Sequence, residues 1–147
     1  MKTLHFTIDI KAPKEKVWHT MLDKETFKIW TAEFMAGSYY EGTWEKDEKI
    51  RFMDPEGNGM NSVIAENRPY EFTSIKHLSI IKDGVEDTES PESKKWAPAY
   101  ENYTFREHDG QTEVLIDIEI LEEFAPMMEA TWPKALAKLK TMCEQTK

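Results

Sequence analysis

The stretch Glu113-Val-Leu-Ile-Asp-Ile-Glu-Ile-Leu-Glu-Glu-Phe-Ala-Pro-Met-Met-Glu-Ala-Thr-Trp-Pro-Lys-Ala-Leu-Ala-Lys-Leu-Lys-Thr-Met142 changes its period in the middle, and that change decides the fold. Up to Leu121 the apolar residues Val114, Ile116, Ile118 and Ile120 alternate with Leu115, Asp117 and Glu119, the pattern of a strand buried on one face. Beyond Glu122 the spacing becomes three and four: Phe124, Met128, Trp132, Ala135, Leu136, Leu139 and Met142. That is one amphipathic helix of about 20 residues. Pro133 falls inside it and removes a backbone hydrogen bond, so a kink or local widening is expected there.

Working outward, the amino end repeats the strand signal. Leu4, Phe6, Ile8 and Ile10 share one face of an extended chain and Pro13 ends it. Val17, Met21 and Leu22 then fall on a helical face, with Lys14, Glu15, Lys16 and His19 solvated. Asp23 reads as the N-cap of a second short helix through Phe27 and Trp30. Between these helices and the carboxy-terminal one lie short strand-like runs: Met60 to Ala65, Phe72 to Ile81, Tyr100 to Arg106 and Glu113 to Leu121. Turn residues separate them, most clearly Asp54-Pro55-Glu56-Gly57-Asn58-Gly59, where proline presets one dihedral and glycine accepts a positive one. Adjacent runs should pair antiparallel as a meander. The acidic stretch from Asp83 to Pro98 is expected to be a mobile loop. The class is α+β: a curved antiparallel sheet wrapped around a long carboxy-terminal helix, with two short helices after the first strand.

Composition bounds the partners. A chain of 147 residues is expected to form a single domain, residues 1–147. Its formal charge of −9 repels phosphate backbones and anionic membrane surfaces, so neither nucleic acid nor membrane is expected as a partner. No segment approaches the roughly 18 apolar residues of a membrane span, and no signal-peptide pattern opens the chain. The single Cys143 makes no internal disulfide, which suits a reducing cytoplasm.

Several segments together resemble a known family. They are Ile10-Lys-Ala-Pro-Lys-Glu-Lys-Val-Trp18, Lys28-Ile-Trp30, Ile64-Ala-Glu-Asn-Arg-Pro-Tyr-Glu-Phe72, Tyr100-Glu-Asn-Tyr-Thr-Phe105 with Gly110-Gln-Thr112, and Trp132-Pro-Lys-Ala-Leu-Ala-Lys-Leu-Lys140. They resemble the helix-grip (START-like, Bet v 1-like) domains of the SRPBCC superfamily, and within it the family named after the activator of Hsp90 ATPase. The resemblance implies cochaperone domains, carriers of small apolar ligands and, in distant branches, enzymes; a place in the stress response goes with the name. The cochaperones of that name pair such a domain with a separate amino-terminal one, for which 147 residues leave no space.

Catalytic and metal motifs are sparse. His5, His19, His77 and His108 have no local spacing that presents two to one metal. His77 sits mid-strand with Ile75 and Ile81 on its face, as a hydrogen-bonded or half-exposed sheet histidine would. Ser62, Ser74 and Ser79 lack a nucleophile elbow, and no glycine-rich phosphate loop exists, so no cofactor is expected. Asp117 and Glu119 alternate on one strand face and most simply point at water. The apolar inventory is more informative: five tryptophans, five tyrosines, seven phenylalanines and eight methionines exceed what a plain surface needs. Trp30, Phe34, Trp44, Phe52, Met60 and Phe72 are expected around the space under the long helix. His77, Tyr103, Phe105, Met128 and Trp132 complete that set. Either they pack solid, or they enclose a pocket of a few hundred Å³ for a small hydrophobic or aromatic molecule. The first reading is therefore a non-enzymatic cytoplasmic binding domain. A chaperone-associated protein-interaction domain and an enzyme on a small apolar substrate remain as alternatives, with the chain a monomer or homodimer.

Overall fold

The computed structural model describes residues 1–145; positions 146 and 147, the end of the expected domain, lie outside the described residues. Strand β1 (Lys2–Ile10) leads into helices α1 (Lys14–Leu22) and α2 (Lys24–Trp30) and a 3-10 turn, Thr31–Glu33. There follow β2 (Tyr39–Gly42), β3 (Lys49–Met53), β4 (Gly59–Arg68), β5 (Phe72–Lys82) and β6 (Val85–Asp87). Helix α3 (Pro91–Trp96), β7 (Ala99–His108), β8 (Gln111–Ile120) and helix α4 (Ala125–Glu144) complete the chain. The sheet is antiparallel, curved and open, in the order β1-β8-β7-β5-β4-β3-β2, with β6 pairing the far end of β5. The chain's first strand closes on its last, Phe6 opposite Ile116 and Ile8 opposite Val114.

Helix α4 lies against β1, α1 and α2 and buries Trp132, Ala135, Leu136, Leu139 and Cys143. Its turns stay α-helical through Pro133, which sits on the exposed side. The carbonyl of Glu129, four residues earlier and also exposed, loses its helical donor there, and water can replace it. The β3–β4 hairpin uses the expected turn: the Asp54 carboxylate accepts from the N–H groups of Glu56 and Asn58, and Gly57 takes φ 88°.

One local expectation is met in position only, and another is corrected. Asp23 does occupy the N-cap position of α2, but its carboxylate makes no cap bond; it sits 3.3 Å from Nδ1 of His19 at the end of α1. The segment from Asp83 to Pro98 is not a loop throughout. It forms β6 and α3, and the Ser90 hydroxyl caps α3 by accepting from Ser93 N–H. Trp96 anchors the segment, buried against the sheet with Leu4, Ile118 and Leu121. Acidic composition misdirected the expectation because most of the charges ride the outer side while Ser93 and Trp96 face inward.

Candidate functional site

Three layers converge under α4. Helix α2 and the following 3-10 turn present Phe27, Trp30 and Phe34 inward, because residues three and four apart share a helical face. Helix α4 presents Met128 and Trp132, also four apart. The curved sheet supplies Phe52, Met60, Tyr103 and Ile118 from four strands. Between them a cavity of about 260 Å³ remains unfilled and partly open, and Asp54, Asn58 and Tyr39 add polar groups to its lining. Its walls are rigid aromatic material. The Trp132 ring stands 5.0 Å from Phe34, 5.9 Å from Trp30 and 6.2 Å from Tyr103, and stacks on Phe6 at 6.0 Å. Phe27 meets Tyr40 edge-on at 5.0 Å.

The floor is polar. On β7, Glu101 and Tyr103 alternate onto the inner face, paired with Ile75 and Thr73 of β5. His77, two residues beyond Ile75, joins them on that face. Its Nε2 lies 3.0 Å from Glu101 Oε1, and Tyr103 donates its hydroxyl to Glu101 Oε2 at 2.5 Å. On the other side of the ring, Ser62 Oγ lies 2.7 Å from His77 Nδ1. A carboxylate only accepts, so the network assigns a proton to Nε2, and Ser62 donates to Nδ1 in the neutral ring. A slip in the β4–β5 register makes this possible: Asn61 pairs with Ser79 but Ser62 pairs with His77, leaving Leu78 bulged out. Trp96 stacks on the imidazole at 5.1 Å and Phe52 meets it edge-on at 6.0 Å.

Burial controls the chemistry of this row. Removal from water, reinforced by the Glu101 charge, holds the Tyr103 phenol well above its ordinary value near 10, so it stays a donor. The side chain of His77 is 2% exposed and that of Glu101 is 10% exposed. Glu101 and Tyr103 reach the cavity; His77 and Ser62 stand behind them, outside its wall. The row contains a serine, a histidine and a carboxylate, yet the serine is fully buried and does not face the space a substrate would enter.

Of the residues expected around the cavity, Trp30, Phe34, Phe52, Met60, Tyr103, Met128 and Trp132 line it. Four stand elsewhere. His77 backs the floor. Trp44 packs on Tyr40 and Phe52 and donates its indole N–H to the Leu22 carbonyl. Phe105 lies under α1 against Trp18, at 5.2 Å, and Phe72 sits beneath the Arg68 guanidinium at 4.9 Å. Sequence reasoning passed over Glu101 and weighed Ser62 only as a nucleophile without an elbow. Glu101 carried a readable signal, since Ala99, Glu101, Tyr103 and Phe105 alternate onto one face; Ser62 carried none. Asp117 is on the outer face, where it meets the exposed His5 at 2.5 Å. Among the described residues, no three His, Cys, Asp or Glu side chains are grouped to hold a metal ion, and no helix is long and apolar enough to cross a membrane.

The family model described as Activator of Hsp90 ATPase homolog 1-like protein matches residues 11–144. No curated protein matches the sequence. Among solved structures, the chain is similar to protein MLL2253 from Mesorhizobium loti, with 12% identity over 99% of each chain and a TM-score of 0.76. It is also similar to the Aha1 dimer from Colwellia psychrerythraea, with 19% identity, 98% of this chain and 97% of that one covered, and a TM-score of 0.72. CalU16 from Micromonospora echinospora shares 12% identity over 97% of this chain and 76% of its own, with a TM-score of 0.68. At these identities the likeness is one of fold, the helix-grip arrangement of curved sheet and long helix.

Proposed function

We propose, for a chain that belongs to the family of activator of Hsp90 ATPase homolog 1-like proteins, a non-enzymatic role in holding a small hydrophobic molecule between the sheet and α4. The observation that carries this reading is the cavity of about 260 Å³ walled by Trp30, Phe34, Phe52, Met128 and Trp132. Interiors normally close such spaces to crystal-like density, and an apolar void of ~150 Å³ already suffices for benzene. Here the surrounding rings are fixed by one another and by Trp30 Nε1–H donating to the Met21 carbonyl, so the space is preorganised. The inaccessible Ser62 argues against acyl-transfer chemistry. The free, buried Cys143 thiol suits a reducing, cytoplasmic setting.

A second reading, docking of a chaperone-associated protein, draws support from the family description and from Ile29 and Met35, two large apolar side chains left nearly half exposed close together in sequence. Native mass spectrometry of the gently purified full chain, followed by naphthalene titration monitored by tryptophan fluorescence, separates the two. A co-purifying small molecule, or saturable quenching of Trp30 and Trp132, is expected. A bare mass with no response to naphthalene overturns the carrier reading, and binding to purified Hsp90 in sedimentation would then favour the docking one.

A further inference from the structure

The inner wall of the cavity has spare acceptor capacity, and most of its donors are committed. A carboxylate has about four lone-pair sites. Glu101 spends two of them, on His77 Nε2 and the Tyr103 hydroxyl. The remaining lone pairs belong to a side chain that is buried except where it meets the cavity. Several of the wall's donors point back into the protein: Trp30 Nε1 to the Met21 carbonyl, Thr31 Oγ1 to the Phe27 carbonyl and Ser38 Oγ to the Met35 carbonyl. Tyr103 is engaged by Glu101 itself. The Trp132 indole Nε1–H has no partner among the described residues and presents no surface to the cavity.

Resting on the reading of this cavity as a ligand site, we infer that its ligand is an aromatic molecule of about two fused rings carrying one hydroxyl, and that Glu101 selects it by accepting that hydroxyl's proton in a hydrogen bond. The size follows from the volume, nearly twice the ~150 Å³ that suits a single ring. The polar group follows from the chemistry of the wall. A pure hydrocarbon leaves the buried carboxylate's lone pairs unmet, and an anionic group meets a carboxylate in a protein already carrying a charge of −9. An ammonium brings a charge and three donors into an apolar space, and one carboxylate cannot match them all. A hydroxyl brings a single donor, which Glu101 satisfies. No covalent step is involved: the ligand is held and its orientation set by Glu101.

The test uses the full chain, three naphthalene probes of nearly equal size and the cation 2-naphthylmethylammonium, followed by calorimetry or tryptophan quenching at neutral pH. 2-Naphthol should bind about 10- to 100-fold more tightly than 2-methoxynaphthalene, which keeps the oxygen but lacks the proton, and than naphthalene. In Glu101→Gln that advantage should shrink to a few-fold while naphthalene binding persists. The wild-type comparison stands by itself should this variant fold poorly. Equal binding of all three probes overturns the inference and leaves the cavity reading intact. Tighter binding of 2-naphthylmethylammonium than of 2-naphthol overturns it in favour of a cation site. Binding of none of the probes overturns the cavity reading and the inference with it.

Discussion

Tyr103 donates its hydroxyl to Glu101 two residues earlier on the same face of β7, across 2.5 Å and out of reach of bulk water. The period of a strand puts the two side chains side by side, and burial turns the contact into a charge-assisted bond with no competing solvent. The rest of the cavity floor is organised around that pair.

The raised phenol predicts alkaline weakening. Above pH ~10 an unfolded chain loses the Tyr103 proton while the folded chain keeps it, so the unfolded state binds fewer protons and stability falls as pH rises. The loss should approach 1.4 kcal/mol per pH unit from about pH 10 up to the folded value. Burial raises Tyr40 as well, giving a slope of the same sign. Tyr103→Phe should therefore remove part of the slope, not all of it. Urea unfolding at several pH values reads this directly; identical slopes in the two proteins would contradict it. At pH 7 the same substitution should cost about 1.5–3 kcal/mol, because it takes away a bond to a charged group.

Removing His77 should be worse than removing the row. His77→Phe leaves Glu101 and Ser62 without their shared partner and should cost about 3–5 kcal/mol. In the Tyr103→Phe background, where no hydroxyl is orphaned, His77→Phe with Glu101→Leu replaces the pair by apolar groups and should recover at least about 1 kcal/mol of that loss. Denaturant midpoints of the four proteins in the cycle decide it; strictly additive costs would show that the two side chains do not interact.

Two tryptophans of similar burial should respond differently to loss of the indole nitrogen. Trp30 donates to the Met21 carbonyl at 3.0 Å, whereas Trp132 Nε1 has no partner. Trp30→Phe should thus cost about 1 kcal/mol more than Trp132→Phe. Trp132→Ala removes the ring that Phe6, Phe34 and Tyr103 pack against and should cost about 3–5 kcal/mol. Guanidinium unfolding measures all three, and equal costs for the two phenylalanine variants would exclude the hydrogen-bond argument.

The acidic segment before β7 should behave as folded structure. Ser90 accepts from Ser93 N–H, and Ser90→Ala should cost about 1 kcal/mol, felt mainly as faster amide exchange at Lys94 and Ala97. Exchange of those amides at unprotected rates in the wild type would mean that α3 is not formed in solution.

Periodicity was enough for most of the architecture, because strands and helices bury faces at different repeats. Alternation at Val114 to Ile120 and at Leu4 to Ile10 identifies β8 and β1, and the three-and-four spacing from Phe124 identifies α4. The switch between them yields the helix-grip class. The aromatic and methionine inventory named seven residues that line the cavity. It failed for Trp44, Phe72 and Phe105, since an aromatic residue advertises burial without saying which neighbours bury it. It also failed for α3, whose single anchoring tryptophan is outnumbered by charges.

By itself, then, the sequence determined the fold class, the first strand, the two early helices and the long closing helix, and which face of β1 and β8 is apolar, all properties of local repeat and composition. Only the tertiary structure decided that a cavity survives and what its floor is made of. Ser62, His77, Glu101 and Tyr103 come from three strands, and they meet through the slip at Leu78 and the β5–β7 register. Register is set by the packing of whole faces and hairpins rather than by any one residue's neighbours in sequence. A volume left unfilled likewise depends on how side chains from several elements meet, which no local pattern encodes.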